Sequence, residues 1–207
     1  MKQILLLGFF LIFFALEGEA IAQCRTGYTP MQINMNVNGC PYVVDLCVKC
    51  SVLGQLPGSV YVRGFMQIPM IPPCVQTLTA QQVLQYIETY VTSPEYYYTW
   101  LCQNQYGTPP CPDQSQPIEM SHWSCWKVEM IEYFGQQSLY YHICGDAYCY
   151  EKFSWCYDSI LKKYNRTVIE GPTQVGTPTC TLEAWQIILP TQVGQESPCF
   201  IMHNACQ

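Results

Sequence analysis

Fourteen cysteines constrain what this chain can fold into more than any other feature. They stand at Cys24, Cys40, Cys47, Cys50, Cys74, Cys102, Cys111, Cys125, Cys144, Cys149, Cys156, Cys180, Cys199 and Cys206. All of them follow a segment laid out as a secretory leader. Met1-Lys2 is followed by an apolar run from Ile4 to Ala15 and by Ala20 and Ala22, small residues third-last and last before a cut after Ala22. An even number of cysteines exported to an oxidising compartment reads as up to seven disulfides, with a connectivity that spacing alone does not give.

The apolar run has 12 residues, against the roughly 20 needed to cross a bilayer, so residues 1–22 read as a cleaved signal peptide and no transmembrane anchor is expected. Residues 23–207 then read as one disulfide-stapled domain. Two lobes, 23–106 and 118–207, joined by the turn-rich loop 107–117, are the alternative division. Without Lys2, Glu17 and Glu19, the ionisable count falls from 9 basic and 15 acidic to 8 and 13. Such an acidic, lysine-poor chain is unsuited to neutralising phosphates, which excludes nucleic acid as a partner.

Met31, Ile33, Met35 and Val37 alternate with polar residues and run into Asn38-Gly39, the strongest short hairpin signal. The return strand alternates too, and Val60 to Ile68 supplies a third, so 30–68 reads as a three-stranded antiparallel meander. Thr79 and Gln82 match a capping box, with Val83, Leu84, Ile87 and Val91 at helical spacing, which predicts a helix over 80–92. Ser93-Pro94-Glu95 predicts a second helix, capped by Ser93 and ending near Asn104. Aromatic segments at 118–134, 138–144 and 148–157 predict a second antiparallel meander, with Met130 to Phe134 readable as helix instead. In the tail, Leu182 to Leu189 reads as one strand and the rest as pinned loop. The echo of Pro172–Gly176 in Pro190–Gly194 implies no repeat architecture. The expected fold is therefore α+β: a small disulfide-rich secreted fold with two antiparallel β meanders and a central helical pair.

Cys47-Val48-Lys49-Cys50 has the spacing of a redox or zinc motif. On a strand, residues three apart face opposite ways, so these two cysteines are expected to take separate structural partners. The Gly145-Asp146 turn places Cys144 and Cys149 close enough in sequence to bridge each other. No nucleophile elbow, metalloprotease helix, phosphate loop or calcium loop occurs, so no catalytic residue, metal ligand or cofactor is assigned.

The informative feature is aromatic: 16 Tyr and 5 Trp in a chain that is only 12% charged. Three tyrosines in a row cannot all face inward on an α-helix, and Tyr140 and Tyr141 must point opposite ways on a strand. Exposed tyrosine offers stiff contact area to proteins and sugars. The expected function is non-catalytic extracellular recognition of a glycan or a protein through Tyr96, Tyr98, Tyr140 and Tyr141. The alternatives are a self-assembling structural subunit of a surface layer or filament, and a secreted hydrolase. Asn165-Arg166-Thr167 is a glycosylation sequon if the host is eukaryotic, whereas a bacterial host would place the protein in the periplasm or envelope.

Overall fold

A computed structural model describes residues 24–50, 57–103, 107–202 and 206. The leader, 1–22, lies outside the described residues. Strands β1 (Thr29–Val37) and β2 (Cys40–Lys49) form the expected hairpin, turning on Asn38 and Gly39 with φ of 51° and 84°. Strand β3 (Gly58–Gln67) pairs antiparallel with β2, and a bulge at Asp45/Leu46 leaves Arg63 out of register.

Strand β3 is buried along all but its last residue because its second edge is shared by two partners. Its start, Gly58–Val60, lies parallel to β4 (Ile118–Trp123). Its end, Gly64–Met66, lies antiparallel to β6 (Gln136–Ile143). The sheet therefore forks at β3. One wing continues from β4 to β7 (Tyr148–Asp158) and β8 (Lys163–Val175). The other continues from β6 to β5 (Cys125–Tyr133), β10 (Phe200–Ile201) and β9 (Leu182–Glu183).

Helix α1 (Ala80–Val91) carries the expected reciprocal Thr79–Gln82 capping box and buries Val83, Leu84, Ile87 and Val91 against the core face of the sheet. After it comes not a second α-helix but a π-helical segment, Glu95–Leu101, in which the Cys102 amide donates to the Tyr97 carbonyl. Pro94, not Ser93, holds the cap position, and the Ser93 hydroxyl turns back to the Tyr90 carbonyl. The segment buries consecutive Tyr97 and Tyr98, as α1 buries Val83 and Leu84.

The α+β expectation is thus corrected. Of the described residues, 48% are strand and 13% helical, and the fold is built on one mixed ten-stranded sheet rather than around a helical pair. The second meander is not a unit of its own, because β3 stands between β4 and β6. Residues 130–133 are strand, within β5. Strand β8, placed in the tail by sequence, is the longest of all. Almost every residue in it is exposed, so no alternation marked it. Of 182–189, only Leu182–Glu183 is strand, followed by a 3-10 turn at Ala184–Gln186. The two pentapeptide copies differ: the first closes β8, and the second is a loop whose Gly194 amide donates to the Met130 carbonyl.

Seven disulfides pair Cys24–Cys47, Cys40–Cys74, Cys50–Cys102, Cys111–Cys156, Cys125–Cys180, Cys144–Cys199 and Cys149–Cys206. Cys47 and Cys50 take separate partners, as alternation required. Cys144 and Cys149 do not bridge each other. The chain crosses from one wing to the other between β6 and β7, which carries the two cysteines apart. This density of disulfides fits an extracellular setting. Among the described residues, no helix is long and apolar enough to cross a membrane.

Candidate functional site

Two cavities adjoin on the core side of the β6 wing. The first, about 450 Å³, lies between the 69–78 segment, the start of α1 and β6. Its walls include Phe65, Gln67, Gln76, Gln137 and Tyr141. The second, about 550 Å³, lies between the start of α1 and the tail, and is walled by Gln81, Trp185, Leu189, Phe200 and again Tyr141. Tyr141 and Ala80 line both, so the cavities lie side by side as a two-part groove.

The walls are held from behind. Tyr141 stacks on Phe65, its cross-strand neighbour, with ring centroids 5.2 Å apart and planes 8° from parallel. The Gln67 side-chain amide donates to the Cys74 carbonyl at 2.7 Å, and that of Gln76 donates to the Val37 carbonyl at 3.1 Å. Cys40–Cys74 ties the 69–78 wall to β2, while Cys125–Cys180 and Cys144–Cys199 tie the tail wall to the β5–β6 hairpin. Trp185, 82% exposed, stands at the open side. Among the described lining residues, Glu183 alone is formally charged.

Of the four tyrosines singled out by sequence, only Tyr141 lines this groove. Tyr140 points to the opposite face, as strand alternation requires. Tyr98 is buried, and its hydroxyl donates to the Gln116 carbonyl at 2.6 Å. Tyr96 packs on Tyr90 at a centroid distance of 4.4 Å. Trp185 and the glutamines were missed because they lie in segments without period, and nothing in their spacing brings them together. Asn165 of the sequon lies on β8 opposite Cys156, with its amide nitrogen 3.7 Å from Cys111 Sγ.

The opposite face of the same strands carries a polar row. Gln32, Asp45, Gly64, His142 and Lys127 are successive cross-strand neighbours from β1 to β5. Gly64 is required here by close approach, since a Cβ would collide with the Tyr140 ring, which lies over it. The Tyr140 hydroxyl donates to Asp45 Oδ2 at 2.6 Å, and the bulged Arg63 reaches the same oxygen at 3.4 Å. Burial and then the Asp45 carboxylate push the Tyr140 hydroxyl above its ordinary pKa. Burial, followed by the Lys127 charge, brings the His142 imidazole down to about 4. It is therefore neutral near pH 7 and lies stacked beside Tyr140. Lys127 Nζ donates to both carboxylate oxygens of Glu196, at 2.6 and 2.7 Å, and this bond holds Glu196 below the usual carboxylate range.

A third aromatic feature is already filled. The Arg25 guanidinium sits 4.1 Å from the Tyr148 ring centre and 4.6 Å from that of Trp123. Comparison with known proteins returned no matching family model, no matching curated protein and no matching solved structure.

Proposed function

We propose that the protein is exported and acts as a non-catalytic recognition module, holding an uncharged glycan in the groove bounded by Tyr141 and Trp185. The observation that carries this reading is the lining itself: aromatic faces and amide side chains, with a single formal charge among the described residues. Sugar rings offer apolar C–H faces to stack on aromatics and hydroxyls to pair with amides. An anionic ligand would need positive countercharge that this lining lacks, and a cationic one would find only Glu183. The size suits the purpose, since each cavity falls within the ordinary range of ligand sites. Disulfides tie both walls and the buried core backs them, so the groove is formed before ligand arrives and little ordering entropy is lost on binding.

The test is a glycan array followed by calorimetry with the best-bound neutral oligosaccharide. Tyr141→Ala and Trp185→Ala should each weaken binding about tenfold or more, as loss of a stacking aromatic contributes roughly 1.4 kcal/mol. Tyr96→Ala, remote from the lining, should leave affinity unchanged. Unaltered binding in both groove variants, or preference for sulfated glycans, would sink the assignment. Concentration-dependent growth in light scattering with no glycan bound would instead favour a surface-layer subunit, for which the exposed thirteen-residue edge strand β8 is the available joint.

A further inference from the structure

Three side chains meet on the polar face, away from the groove. Glu129 on β5 and His142 on β6 lie on the same face of adjoining strands, since Glu129 pairs with Tyr140 and Lys127 with His142. Glu196 is brought beside them by a bridge of its own backbone to Glu129, locked by the Met130 amide on the Gln195 carbonyl and the Ser197 amide on the Val128 carbonyl. One ligand atom from each, a carboxylate oxygen, the imidazole nitrogen and a second carboxylate oxygen, lie within 4.8 Å of one another.

His142 Nε2 gives the cluster its direction. It is enclosed, hydrogen bonds to no described group, and stands 3.9 Å from Glu129 Oε2, beyond hydrogen-bond reach. Buried nitrogens of this kind are nearly always satisfied in native proteins, and neither neighbouring carboxylate is placed to hydrogen bond to this one. A cation satisfies all three groups at once. We propose that Glu129, His142 and Glu196 bind a divalent transition-metal ion of the zinc type.

The donor set selects the metal. One imidazole with two carboxylates suits zinc, whereas calcium and magnesium call for six or more oxygens. Tetrahedral zinc holds its ligand atoms about 3.4 Å apart, so the cluster must contract by roughly an ångström. Glu196 can supply that movement, because its side chain is 43% exposed. Lys127 now holds Glu196 and is the internal competitor. When the metal enters, the Lys127 ammonium must release this carboxylate and turn to solvent. Three protein ligands leave the remaining position to water or to a ligand atom from outside.

Zinc chloride titrated calorimetrically into the oxidised chain, after dialysis against EDTA, tests the proposal. Every cysteine is paired, so thiolate does not compete for the metal. One saturable site per chain is expected. Glu196→Gln, on a partly exposed side chain that the fold does not need, and His142→Ala should each weaken it by about a hundredfold or more, and Lys127→Met should tighten it a few-fold. His122→Gln should leave it unchanged. Absence of saturable binding, or binding retained in both Glu196→Gln and His142→Ala, would overturn the site. If His142→Ala does not fold, Glu196→Gln decides the question alone.

Discussion

His122 and His142 feel burial in the same way yet titrate in opposite directions, because their charged neighbours differ. For His122, burial is the largest influence and favours the neutral ring. Glu88, 2.9 Å from Nδ1, and Glu151 outweigh burial and Arg166 together, so the pKa rises above 6.5. A raised folded pKa contributes stability that is fully present below 6.5 and is lost as pH climbs through the folded value. His142 does the reverse: its contribution is present above 6.5 and is lost as pH falls towards about 4. In urea denaturation across pH, the stability difference between the wild type and His122→Gln should be largest below 6.5 and shrink as pH rises. A difference that does not vary with pH would contradict the charged pair. Single residues were partly legible in the sequence. Alternation alone separated Cys47 from Cys50 and Tyr140 from Tyr141. Which tyrosine would face a groove was not legible, because that depends on Phe65 of a strand some 75 positions away.

Local signals succeeded where an element carries its own stop or start, and failed where pairing decides. The β1–β2 turn was readable from Asn38-Gly39, and α1 from its capping box. Thr79→Ala should cost about 1 kcal/mol in urea denaturation, since it removes the acceptor for the Gln82 amide at 3.2 Å. Thr79 also lies on the wall of the second cavity, so the same variant should reduce glycan affinity if α1 frays there. A change below a few tenths of a kcal/mol would mean that tertiary packing, not the cap, sets this helix end. The π-helical segment was read as α because Ser93-Pro94-Glu95 is a good α start, and the wider turn closed by the Cys102 amide on the Tyr97 carbonyl has no signature in that start. Strand β8 was invisible because an exposed edge needs no apolar face, only a neighbour to accept its hydrogen bonds.

At the scale of the whole molecule, the fork at β3 was out of reach of any local pattern. Two segments remote in sequence from β3 divide one of its edges, and no periodicity in any of the three reports the others. The disulfides close loops of 23 to 57 residues, each worth up to about 4 kcal/mol in the chain-entropy account. They also place the tail, on which both the groove and Glu196 depend. Cys125–Cys180 and Cys144–Cys199 draw the 180–199 segment against the β5–β6 hairpin, so Trp185 reaches one face and Glu196 the other. The central claim is therefore that the tail folds back onto the β6 wing and completes the groove. Mass-spectrometric mapping of peptides from the unreduced protein tests it most directly. The predicted result is Cys125 linked to Cys180 and Cys144 to Cys199, with Cys149 joined to Cys206. Cys180 joined to Cys199 would remove both ties of the tail to the β5–β6 hairpin and contradict the proposed wall, and a Cys144–Cys149 link would remove one of them.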